Sequence, residues 1–212
     1  MYLACNNGVV VAASRVRDAV WGGAARERKT FSNKLSELRN ALGATPTGES
    51  YIVLTSTGIQ LDHSVMTDLH VFTTLTARAA RVASNEAIGL LRAALVLVDG
   101  EPFDDGGYEW AEANQSNEQA HENIAAAARQ LYQLACDADD LATARFALIQ
   151  GLKAAPGHED LYRLRMQLEH RAANTTAVHA VFNELTHQLT ALDSEPSTET
   201  VSLYRQLIGR RT

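Results

Sequence analysis

Cysteine is almost missing from this chain: only Cys5 and Cys136 occur in 212 residues. Two thiols cannot build a disulfide framework or a cysteine-based zinc site, so a reducing, cytoplasmic compartment is expected. The glycosylation-like triplets at Asn114 and Asn174 then carry no meaning. Long apolar runs are missing too. The longest, Ala93 to Val98, falls far short of the ~20 residues that cross a bilayer. The opening residues Met1-Tyr2-Leu3-Ala4-Cys5-Asn6 lack the basic stretch and apolar core of a signal peptide. Catalytic motifs are absent as well. There is no P-loop and no Gly-x-Ser-x-Gly, and the seven histidines include no His-Glu-x-x-His and no i, i+4 pair. The acidic clusters Asp104-Asp105 and Asp137, Asp139 and Asp140 lack the alternating oxygen ligands of a calcium loop. The expectation is a protein that is not an enzyme and has no cofactor or metal.

What remains is ordinary globular material. Hydrophobic residues make up 46% and charged residues 21%, enough for a core in one domain or two small ones. The net charge of −6 argues against a generally basic nucleic-acid binder. Its distribution is uneven. Residues 1–65 hold seven cations and five carboxylates, a balance of +2, which leaves −8 for the rest. Four of those cations, Arg26, Arg28, Lys29 and Lys34, are neighbours. A small basic piece joined to a larger acidic one suggests two modules, 1–65 and 66–212.

In the first module, Asn6-Asn7-Gly8 reads as a turn, and Ser14 as the cap of a short helix ending at Trp21. Gly22-Gly23 breaks it. A second helix is expected over about 27–42, because Phe31, Leu35, Leu38 and Leu42 form a stripe with helical spacing; Gly43 stops it. Tyr51-Ile52-Val53-Leu54 and Ile59-Gln60-Leu61 read as a hairpin about a tight turn at Thr55-Ser56-Thr57-Gly58.

Helix, Gly-Gly turn, helix and hairpin match the latter part of a winged helix-turn-helix. The run Lys29-Thr30-Phe31-Ser32-Asn33-Lys34-Leu35-Ser36-Glu37-Leu38-Arg39, closing on Leu42-Gly43, resembles the recognition helix of the response-regulator type of winged helix, and Trp21 matches the tryptophan that closes its preceding helix. The resemblance implies that Lys29, Thr30, Asn33 and Lys34 face the major groove, that Arg26 and Arg28 face phosphates, and that Ser56 and Thr57 form the wing. Glu37 stands where that family usually has arginine. A carboxylate there is repelled by phosphates, although it can accept from cytosine N4. The family's domain also begins with a small sheet and a complete first helix. The expectation is therefore a partial winged domain, from a fragment of a longer protein, with an apolar face lacking its cover.

From Asp68 onward the apolar spacing is helical throughout. Expected helices carry Phe72 to Val82, then Ile88 to Val98. After a Gly100–Gly107 loop, one long helix should run from Trp110 to about Cys136, with Trp110 buried between hairpins. Further helices carry Ala142 to Leu152, Leu161 to Leu168, Val178 to Leu192, and Val201 to Ile208. Short breaks imply antiparallel helical hairpins stacked as in a repeat array. Asp68-Leu69-His70-Val71-Phe72, Glu86-Ala87, Leu90 to Leu95, Asp99-Gly100-Glu101-Pro102-Phe103, Glu159-Asp160-Leu161-Tyr162-Arg163 and Glu195-Pro196-Ser197-Thr198-Glu199-Thr200 resemble, in order, the bacterial transcriptional activator domain as found in the Streptomyces antibiotic regulatory protein family. Val98 replaces its usual tryptophan, and Ala173-Asn174 its glycine-led turn.

The resemblances together imply a mainly α fold, a partial winged helix followed by a TPR-like array of helical hairpins. They imply an actinobacterial transcriptional regulator whose partners are double-stranded DNA, if the winged module is complete in the parent protein, and, through the helical domain, proteins, with self-association included. Related chains place these modules within longer, sometimes membrane-anchored, proteins. The competing reading is a protein-interaction or sensing module that does not bind DNA. Glu37 and the acidity of the larger module favour it.

Overall fold

Helix dominates the computed structural model, which describes residues 1–21, 28–104 and 108–209. Among the described residues, contacts divide the chain into two compact units. One comprises Met1–Val71 with Asp105–Ser116, the other Phe72–Asp104 with Asn117–Thr212. The expected fold class holds: 68% of the described residues are helical, beside one two-stranded antiparallel sheet.

The first unit opens with a single helical turn, α1 (Tyr2–Cys5). Helices α2 (Ala13–Trp21) and α3 (Arg28–Leu42) follow, then β1 (Ile52–Leu54) and β2 (Ile59–Leu61). Ser14 lies inside α2 rather than capping it. The Gly22-Gly23 break lies outside the described residues. The hairpin pairs Ile52 with Leu61 and Leu54 with Ile59, which puts all four on one face. Its outer edge is covered by Val11, which exchanges two 2.8 Å backbone hydrogen bonds with Ile59. This bridge makes Gly58 obligatory: a β-carbon there would stand 2.2 Å from the Val11 carbonyl oxygen. Leu3, Val11, Val16, Ile52, Ile59 and Leu61 form the core, with Phe31 and Leu35 of α3 half-buried against it. Val20, Leu38, Leu42 and Leu54 are each more than 40% exposed.

A further expectation fails where the first unit ends. The periodicity from Trp110 to Cys136 does not form a single helix. It splits into α6 (Glu109–Ala113) and α7 (Ser116–Asp137). Asn114 Oδ1 accepts from the Ser116 N–H, and Gln115 takes a left-handed φ of 61°. An asparagine that bonds backbone locally offers the chain an exit from the helix. Trp110 therefore lies in the short α6, half-buried, its ring edge-on to Tyr2 at 4.9 Å. It does not sit between helical hairpins.

The second unit is assembled from α4 (Asp68–Ala79, which begins in the first unit), α5 (Ser84–Val96), α7, α8 (Leu141–Ala154), α9 (Glu159–Arg171), α10 (Thr175–Ala191) and α11 (Thr198–Gly209). Thr67, rather than Asp68, caps α4 through the His70 N–H. Phe72, Leu91, Leu95 and Leu131 fill one part of the interior, and Leu148, Tyr162, Met166 and Leu185 the other.

Two turns in this array share one design. At the end of α7, the Asp140 N–H bonds to the Ala135 carbonyl and the Asp139 N–H to that of Cys136. At the end of α9, Asn174 bonds to Glu169 and Ala173 to His170. Both are Schellman closures, with Asp139 and Ala173 left-handed at φ 55°. The next residue then caps the following helix. Asp140 accepts from the Thr143 N–H, and Asn174 from that of Ala177. One residue closes a helix and opens its antiparallel neighbour. Ala173-Asn174 thus does the work of a glycine-led turn, at the cost of an alanine held left-handed.

Removing that alanine's strain should stabilise the chain. Ala173→Gly relieves roughly 1–2 kcal/mol of left-handed strain and gives back part of it as unfolded-state entropy. A net gain of about 0.5 kcal/mol is expected, read as a higher melting temperature. Gly151→Ala should do the opposite. Its β-carbon would stand 2.7 Å from Ala128 Cβ and 3.0 Å from a Leu161 methyl. Overpacking of about 1–3 kcal/mol exceeds the propensity gain, so melting should fall.

Candidate functional site

Helix α3 is shaped by two stripes. Phe31 and Leu35 turn towards the core of the first unit, and Arg17 and Trp21 of α2 approach the Phe31 ring, each at 6.0 Å. Thr30, Asn33, Lys34 and Glu37 recur at three, one and three residues, which places them together on another face. Asn33, Lys34 and Glu37 are exposed, Thr30 is half-buried, and Lys29 is exposed one residue to the side. Arg28 opens the helix, and its side chain is outside the described part of the structure; Arg26 lies outside the described residues altogether. The Arg39 Nε–H donates to Ser50 Oγ at 3.3 Å, tying the end of α3 to the start of the hairpin.

Ser56 and Thr57 occupy the exposed tip of that hairpin. The tip is closed from within. The Thr55 N–H donates to the Gly58 carbonyl at 2.9 Å, and Thr55 Oγ1 accepts from the Gly58 N–H at 3.0 Å. The hydroxyls and backbone at the tip are therefore held in a defined turn.

The stripe holds one feature that a motif comparison misreads. Lys34 Nζ donates to Glu37 Oε2 at 2.7 Å, and both side chains are 63% exposed. Glu37 is more than an unfavourable replacement for arginine. It is the partner of one of the four cations in the basic cluster. The i, i+3 spacing carried that signal in the sequence.

A second candidate surface lies in the helical unit. Arg129 of α7, Asp160, Arg163 and Gln167 of α9, and Leu203 and Gln206 of α11 line an open groove of about 530 Å³. Its charges are mutually satisfied. Arg129 donates to Asp160 at 2.6 Å and also pairs with Glu122, while Arg163 lies 3.6 Å from Glu199. Deeper, Arg145 grips the buried Glu169 with two bonds of 2.6 and 3.0 Å. Breaking that pair would leave an uncompensated buried charge.

Beside the groove, two of the sequence motifs meet. Glu159, at the start of α9, accepts from the Ser197 N–H at 3.0 Å, from Ser197 Oγ at 2.8 Å and from the fully buried Thr200 hydroxyl. Arg163 donates to the same hydroxyl at 3.1 Å. These bonds dock the start of α11 on α9. Burial pushes the Glu159 carboxyl up, but the bonds from Thr200 and Ser197, with Arg163 nearby, outweigh it and hold the pKa below the usual carboxylate range.

A depressed folded pKa sets the sign of the pH effect. The stabilisation from Glu159 is complete above the ordinary carboxylate value and is lost as pH falls through the lowered folded one. Melting curves between pH 7 and pH 3 should therefore show the wild type above Glu159→Gln near neutrality, with the gap closing in acid. An unchanging gap would remove ionised Glu159 from the account of this junction.

No curated protein matched the chain. The profile of the bacterial transcriptional activator domain matches residues 67–208, the span that contains α4 to α10, all but the last residue of α11, and the Glu159–Thr200 junction. That span exceeds half of the chain, and the chain belongs to the bacterial transcriptional activator domain family.

Proposed function

We propose that this chain is a transcriptional regulator, or part of one, that binds double-stranded DNA through residues 1–65 and contacts proteins through residues 66–212. In this reading α2, α3 and the hairpin form a winged helix-turn-helix. Helix α3 enters the major groove with Lys29, Thr30, Asn33 and Lys34, Arg26 and Arg28 lie towards phosphates, and Ser56 and Thr57 act as the wing. The observation that carries it is the two-sided character of α3. One stripe is anchored in the core while the stripe of Asn33, Lys34 and Glu37 stays open to solvent. Membership in an activator family supports a regulatory role. The subtype is that of the Streptomyces antibiotic regulatory proteins, in an actinobacterial cytoplasm. Among the described residues no helix is long and apolar enough to cross a membrane. No enzymatic step and no cofactor belong to this function.

A second reading has its own support. The Lys34–Glu37 pair lowers the net positive charge of α3, which favours a helical interaction module working through the groove of α7, α9 and α11, self-association included. A salt titration separates the two. Cations that neutralise phosphates make log K fall linearly with log salt, by about 0.9 per phosphate. Binding of the 212-residue chain to duplex DNA should weaken steeply with salt. Lys29→Ala should reduce the slope by about one phosphate's worth, and Lys34→Ala should weaken specific binding. Glu37→Arg should raise affinity for all sequences. Neutral results for all three substitutions would leave the interaction module as the better account.

A further inference from the structure

We propose that Lys34 and Glu37 act together as one reading unit for a single G·C base pair, an inference that rests on the DNA-binding function proposed above. The two side chains present a donor and an acceptor side by side, 2.7 Å apart, on the exposed stripe of α3. A lysine ammonium has three donor hydrogens, and the bond to Glu37 uses one. The carboxylate keeps most of its lone pairs free. A base pair seen from the major groove presents the same arrangement in complement. Guanine O6 accepts, and the cytosine N4 amino group beside it donates, at the ordinary hydrogen-bond spacing of about 2.9 Å. Lys34 therefore matches guanine and Glu37 matches cytosine without separating from each other.

The rest of each base edge decides between pairs. Guanine offers N7 next to O6, so the two remaining ammonium hydrogens both find acceptors. A T·A pair offers an acceptor and a donor in the same order, O4 and then N6. Beyond them, however, stand the thymine methyl on the lysine side and the adenine N7 lone pair on the carboxylate side. The methyl gives the ammonium nothing, and the lone pair repels the carboxylate. The other two orientations place a donor against Lys34 and an acceptor against Glu37.

The unit carries no net charge, so it adds nothing to attraction by phosphates. Glu37 then has two opposed effects. It lowers affinity for every duplex, because a carboxylate approaches the phosphate backbone, and it sharpens the choice of one base pair. An ion pair that serves only the helix surface would contribute the first effect and not the second.

The test is selection from a randomised duplex library with the complete chain, followed by titration of the selected duplex and of a copy with the G·C pair changed to T·A. The wild type should select a fixed G·C pair and bind the altered duplex at least about 5-fold more weakly. Glu37→Ala should bind both duplexes more tightly and lower that ratio. Lys34→Ala should lower it as well, and the double variant should lower it by less than the two effects combined. Both side chains are exposed, so neither truncation disturbs the core. If Glu37→Ala retains the wild-type ratio, the reading unit is overturned while DNA binding stands. If the complete chain shows no salt-dependent binding to any duplex, the DNA reading falls and this inference falls with it.

Discussion

At Gly151 of α8 there is no room for a side chain. A β-carbon there would stand 2.7 Å from Ala128 Cβ of α7 and 3.0 Å from a methyl of Leu161 of α9. Three helices are thereby drawn into direct backbone-to-side-chain contact. Alanines at 125, 128, 135, 144, 147 and 154 extend the close approach along α7 and α8, each of them fully buried. Small residues bring helix axes near, and nearness lets the larger side chains of α9 and α10, among them Tyr162, Met166 and Leu185, pack in the interior. The bidentate Arg145–Glu169 pair and the Glu159 junction depend on this spacing, because each joins helices that the packing has already placed.

The turns obey the same economy of space. Asp140 and Asn174 each finish one helix and begin the next, so α7 to α8 and α9 to α10 reverse direction with a minimum of chain. Such a turn tolerates neither an added nor a deleted residue, because either would separate the closing bond from the capping bond. The family's glycine at the α9–α10 turn and the alanine found here reach one geometry by different means. Glycine reaches it freely, and alanine is held there by the bonds around it.

Much of this was legible because period and punctuation agreed. The stripe of Phe31, Leu35, Leu38 and Leu42 announced α3, and the exposure of Lys29, Asn33 and Lys34 away from it agrees with the same period. The hairpin was legible from β-branched runs about Thr-Ser-Thr-Gly. The break at Asn114-Gln115 was hidden, since apolar residues continue in phase across it and only the left-handed Gln115 ends the helix. The Val11–Ile59 bridge was hidden for another reason. Pairing between distant segments leaves no local period. The Lys34–Glu37 pair was visible in its spacing, yet comparison with a family drew attention to the missing arginine rather than to the neighbour that Glu37 binds.

The placement of Trp110 has a bearing on synthesis. Its ring rests on Tyr2 of α1, and Ala111 beside it is buried. The segments that the two aromatics belong to are separated in the chain by α2, α3, the hairpin, α4 and α5. The first unit is therefore completed only after α4 and α5 have been made. Until α6 emerges, Tyr2 lacks the indole that packs on it, and the nascent N-terminal unit must persist with its aromatic edge open while the helices of the following unit are already forming.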